Sequence, residues 1–108
     1  MQKYPVRPSH RKNLDPAVLV SLARTHFETA EESSGTITAR WGAIQRLSVR
    51  GDGRELAVDL TMNPKVDESV AAETIARYNK FLEATTGFGA KERARRLRKS
   101  ARAASGEE

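Results

Sequence analysis

Apolar residues recur along the chain in two different periods, and the change of period marks the elements. Over residues 14–30, Leu19, Leu22, Ala23, Phe27 and Ala30 fall on one face of a helix. Asp15 is the natural N-cap, because its carboxylate can accept from the free amides of the first turn. Pro16 then occupies the first helical position, where a missing N–H costs nothing. Leu14 and Leu19 have the spacing of a hydrophobic staple across that cap. Glu31-Glu32-Ser33-Ser34-Gly35 breaks the pattern and reads as a loop.

Three runs of alternating residues follow. In 36–41, Ile37, Ala39 and Trp41 alternate with polar neighbours, and in 44–50 Leu47 and Val49 do the same. Ile44 is out of phase with them, which a β-bulge near Gly42 accounts for. Gly51-Asp52-Gly53 is a hairpin turn, and in 54–62 Leu56, Val58, Leu60 and Met62 alternate with Ala57, Asp59 and Thr61. Such a sheet has one dry face and one wet face. Asn63-Pro64 ends the strands. Asp67 caps a second long helix over residues 68–86, with Ala71, Ile75, Tyr78 and Leu82 as its buried stripe and Phe81 on the flank. Gly87 suits the left-handed position past the helix end, with Phe88 packing back on Leu82 or Glu83.

The order (β)-α-β-β-β-α predicts an α+β fold. It is a three-stranded antiparallel sheet with both helices on its dry face, and residues 4–7 are a candidate fourth strand at the edge. Two prolines, Pro5 and Pro8, keep residues 1–13 from forming a long central strand. The organisation expected is a basic segment at 1–13, one core domain at 14–88 and a basic helical tail at 89–108, frayed at its end. The tail carries a thin apolar stripe of Ala94, Leu97 and Ala101, too little to hold it firmly against a core.

Charge sharpens this division. The chain of 108 residues has a net charge of +5, distributed as +3 over residues 1–15, −2 over 16–87 and +4 over 88–108. A mildly acidic middle between two basic ends points to a polyanionic partner. There is no cysteine, which removes disulfides, thiolate metal sites and cysteine nucleophiles. No apolar run approaches the length of a membrane span, and residues 1–5 lack the centre of a signal peptide, so the expected location is the cytoplasm.

Tyr78-Asn79-Lys80-Phe81-Leu82-Glu83, Thr86-Gly87 and Lys91-Glu92-Arg93 together form a pattern, joined by Trp41-Gly42-Ala43-Ile44 and the basic stretch 4–12. Over residues 4–99 the chain resembles a family of small archaeal proteins of unknown function. The resemblance implies an archaeal, cytoplasmic origin and carries no catalytic or ligand residue.

The candidate site is therefore the basic ends. Lys91, Arg93, Arg95, Arg96, Arg98, Lys99 and Arg102 would cover nearly every side of a tail helix, with Arg7, Arg11 and Lys12 extending the footprint. Guanidinium groups bind phosphates bidentately and displace condensed counterions. RNA or DNA phosphate contact is one reading, and a merely solubilising tail is the bland one. A third is a dimerisation or interaction module whose tail docks on an acidic protein, with residues 36–41 or 54–62 as an exposed edge. Arg40, Arg46, Arg50 and Arg54 on the wet face form a second surface, on which cross-strand pairing with Asp59 is the ordinary explanation. His10 and His26 have no metal-ligand spacing, so no enzyme, cofactor or metal is expected.

Overall fold

The computed structural model describes residues 2–96. The elements run β1 (Gln2–Pro5), a 3-10 helix (Pro8–Leu14), α1 (Pro16–Phe27), β2 (Glu31–Ser33), β3 (Thr36–Trp41), β4 (Ile44–Asp52), β5 (Glu55–Met62) and α2 (Glu68–Thr86). Residues 90–96 continue as a helix. The strands form one antiparallel sheet in the order β1-β5-β4-β3-β2. The α+β architecture is as expected, with five strands rather than three or four.

The extra strand is β2, whose residues read as a loop. Glu31, Glu32 and Ser33 are all exposed, so no alternation marks them, and backbone pairing with residues 36–38 holds them in place. The turn into β3 is made by Ser34 and Gly35, at φ 53° and 84°, the left-handed pair that a two-residue hairpin needs. β1 covers residues 55–58 of β5 on the other side. Both edge strands, β1 and β2, are thus short, and they carry charge or proline, which discourages pairing along them. The expected bulge is present: register slips between Ala39 and Trp41 on β3 and between Ile44 and Arg46 on β4.

The core lies on one face. Ile37 sits opposite Val49, which sits opposite Val58, and Ala39, Leu47 and Leu60 form the next row. α1 brings Leu19, Ala23 and Phe27 to this face, all fully buried. Asp15 caps α1 by accepting from the Ala17 amide at 2.9 Å. The helix ends at Phe27, earlier than the apolar spacing suggested, and Glu28 follows at φ 70°. Its last turn is finished from outside, where Arg77 donates to the His26 carbonyl at 3.0 Å. α2 lies beside α1, and the Phe27 and Phe81 rings meet at 5.3 Å. Burying each such ring contributes about 1.5–3 kcal/mol.

α2 is rotated from the expected phase. Ile75 is 50% exposed, while Thr74, Phe81, Leu82, Thr85 and Thr86 are buried. Hydrophobicity alone ranks threonine as polar, but a helical threonine can return its hydroxyl to its own backbone. Thr74 Oγ1 donates to the Val70 carbonyl at 2.7 Å and accepts from the Ala43 amide at 3.0 Å. It thereby ties α2 to the β3–β4 turn. Gly42 makes room for this contact, because a Cβ there would stand 2.4 Å from Thr74 Oγ1.

The last carbonyls of α2 are satisfied by the rest of the chain. Gly87, left-handed at φ 83°, donates its amide to the Glu83 carbonyl at 2.8 Å. Asn13 Nδ2 donates to the carbonyls of Ala84 and Thr85 at 3.2 and 3.4 Å. The Arg7 amide donates to Thr86 at 2.9 Å, and Arg7 Nε donates to Gly87 at 2.8 Å. The tail helix is held as well, contrary to the expectation from its thin stripe. Arg93 is 3% exposed and donates to the Phe88 carbonyl at 2.6 Å and to Asn79 Oδ1 at 2.9 Å. An apolar stripe was the wrong signal, since a buried guanidinium anchors these turns.

Two expected outcomes follow from these contacts. Thr74→Val orphans the buried Ala43 amide and lowers unfolding free energy by about 1–3 kcal/mol in urea titration, whereas Thr74→Ser recovers most of it. Arg93→Met frees the tail helix, so amides of residues 90–96 exchange faster with deuterium while those of β4 and β5 do not.

Candidate polyanion interface

Arg7, Arg11, Arg54 and Arg96 converge on a single cleft of about 600 Å³, whose lining also includes Pro8, Glu55 and Phe88. Each arginine arrives on a different support. Arg7 follows β1 and is fixed by its bond to Gly87. Arg11 belongs to the 3-10 helix, whose Asn13 grips the end of α2. Arg54 follows Gly53, at φ 67°, in the two-residue turn between β4 and β5. Arg96 is on the tail helix that Arg93 anchors.

Phe88 is the floor of this arrangement. It is 5% exposed, and the guanidinium carbons of Arg7 and Arg96 lie 4.5 and 4.3 Å from its ring centroid. The ring therefore packs under two guanidinium groups rather than on Leu82 or Glu83 alone. Cation–π stacking holds the cations in place while their outer N–H groups remain available.

The residues of the basic ends differ in what they are free to do. Lys12 and Lys91 are exposed. Arg95 and Arg96 both pair with Glu92, at 2.8 and 2.7 Å, and these partners hold the Glu92 carboxyl below its ordinary range. Arg93 is committed to the fold, with its partners being neutral oxygens, and its burial lowers its pKa while a guanidinium stays charged. Arg98, Lys99 and Arg102 lie outside the described residues. Phe88 read as a helix stop, and its proximity to Arg7 had no signal in the sequence. Arg54 read as part of the wet face, and the hairpin turn carries it to the cleft instead.

On the wet face, Arg40, Arg46 and Arg50 are exposed. Asp59 is paired with none of them within 4 Å among the described residues, so the expected cross-strand bridge is not formed. Lys3 is occupied by Asp52 at 2.7 Å. Trp41 is half-buried and covered by the Arg77 guanidinium, 4.1 Å from its ring centroid. His26 donates from Nδ1 to the Leu22 carbonyl at 2.9 Å and meets Phe81 edge-on. Burial, followed by the nearby Tyr4, pushes the Tyr78 phenol above its ordinary range, so it stays protonated. No helix among the described residues is long and apolar enough to cross a membrane.

Comparison with known proteins places this geometry in context. No curated protein matches the chain. The NMR solution structure of the hypothetical protein TA0095 from Thermoplasma acidophilum is similar in fold, with a TM-score of 0.66 at 24% identity, over 90% of this chain and 97% of that one. A family model described as a domain of unknown function, DUF5611, matches residues 1–99. With the whole described fold inside that match, the chain belongs to the DUF5611 family.

Proposed function

We propose that this protein is a non-enzymatic binding protein that contacts the phosphate backbone of RNA or DNA through the cleft between its two ends. The supporting observation is the convergence of Arg7 and Arg11 from the N-terminal segment with Arg96 from the tail and Arg54 from the sheet. Four arginines and a single carboxylate, Glu55, line that cleft. Phe88 is covered by guanidinium groups and does not offer its face to a base. Contacts of this kind position a backbone without reading its sequence.

Glu92 sets the strength of the tail's contribution. Its depressed carboxyl stays ionised at neutral pH, which keeps Arg95 and Arg96 partly neutralised. The pairing is present above the ordinary carboxylate range and is lost as pH falls through the lowered value.

Fluorescence anisotropy with single-stranded RNA and duplex DNA at two salt concentrations tests the proposal. Binding is expected to weaken with salt at a log–log slope of about −3 for four phosphate contacts. The double variant R11Q/R54Q, altered at two exposed positions, reduces that slope by about two. Glu92→Gln releases two arginines and tightens binding. No binding at low salt by the intact protein sinks the proposal.

A second reading keeps one observation of its own. Beyond Val58, β5 has no partner on its outer side among the described residues, and a cleft of about 550 Å³ lined by Tyr4, Leu60 and Tyr78 lies beside that edge. A strand from a protein partner or a second copy would add there. Sedimentation equilibrium over a hundredfold range of concentration separates self-association from nucleic-acid binding.

A further inference from the structure

The helix-free face of the sheet holds a depression of about 260 Å³ that is separate from the arginine cleft. Arg46, Ser48 and Arg50 alternate along β4 toward this face, with Ser48 opposite Asp59 and Arg50 opposite Ala57. Thr36 of β3 and Val49 of β4 also line it. The floor is small and the rim is long: Ser48 and Ala57 lie between two exposed arginines and an exposed aspartate.

Ser48 makes this more than a surface cluster. It is 7% exposed, and its hydroxyl has no hydrogen-bond partner among the described residues. A shielded hydroxyl on the solvent side of a sheet is left wanting a bond that water normally supplies. The arginines around it are exposed, and exposed side chains change rotamer within nanoseconds, so a ligand can reach it.

The charges define what such a ligand carries. Two guanidinium groups flank the hydroxyl and favour an anion with several oxygens. Asp59 stands beside them without a cation partner among the described residues, and it repels a bare anion. The ligand must therefore bring hydroxyl donors for the carboxylate as well as an anionic group for the arginines. A carboxylate accepting from a ribose hydroxyl next to a phosphate site is an established pairing. We infer that this depression binds a ribose phosphate unit, with Arg46, Arg50 and Ser48 on the phosphate and Asp59 on the ribose hydroxyls. Its volume falls below that of a drug-sized pocket, so the base extends outside and is not read. The unit can come from a free nucleotide or from an RNA chain.

Amide chemical shifts of the full chain test this with four probes: adenosine 5′-monophosphate, its 2′-deoxy analogue, inorganic phosphate and a short oligoadenylate. The mononucleotide is expected to shift amides around Ser48 and Asp59, with the deoxy analogue about tenfold weaker for one lost hydrogen bond to a charged group. R46Q/R50Q abolishes the response, and Asp59→Asn erases the preference for ribose while admitting phosphate. R11Q/R54Q leaves the response intact, which keeps this site distinct from the cleft. A response to the oligomer alone supports the site and assigns it to RNA, one to the mononucleotide alone supports it and assigns it to the free nucleotide, and one to both supports a site that takes the unit from either source. Silence of these amides toward both, or equal responses to phosphate, deoxynucleotide and nucleotide in the unaltered protein, overturns the inference.

Discussion

A helix end leaves its final carbonyls without partners, and the end of α2 organises this molecule by collecting them from distant parts of the chain. The Gly87 amide takes Glu83, Asn13 takes Ala84 and Thr85, and Arg7 takes both Thr86 and Gly87. Arg93 takes the next carbonyl, that of Phe88. The N-terminal segment and the tail are each tied to the same helix end, so they are tied to one another. Gly87 is essential to this meeting for a second reason. A Cβ on it would approach the Arg7 side chain to 2.7 Å and the His10 ring to 2.9 Å.

The same arrangement answers an electrostatic problem. Cations gathered at one end of a small domain repel each other, and nothing in their spacing along the chain balances that. Phe88 and Glu92 offset it locally, the first through its ring face toward Arg7 and Arg96 and the second through its carboxylate toward Arg95 and Arg96. The α2 C-terminus adds the negative end of a helix dipole beneath them. What remains exposed is a set of preorganised N–H groups, which lowers the ordering cost of meeting a polyanion. The open sheet face differs in kind, because among the described residues its Arg46, Arg50 and Asp59 have no ion-pair partner and its central hydroxyl no hydrogen bond.

Much of the fold was legible from local signals. Asp15-Pro16 announced α1, alternation in residues 36–62 announced three strands, and Gly87 announced the end of α2. These signals are local because caps, turns and strand phase depend on a few consecutive residues. β2 escaped notice because all three of its side chains face water. The phase of α2 was misread because Thr74 is buried for its hydroxyl and Ile75 is left outside despite its hydrophobicity.

Of the candidate site, the amino-acid sequence determined the inventory: a cysteine-free chain with an acidic middle, basic ends and an arginine-bearing wet strand face. Composition and period follow from residue identity alone, so these needed no coordinates. Which arginines meet was decided by the tertiary structure. Arg7 and Gly87 are eighty positions apart and bonded, while Arg93, chemically the same as its neighbours, is buried and spent on holding the tail. A helix buries one side and exposes the other, and only packing against Phe88 and Asn79 chose which cation turned inward.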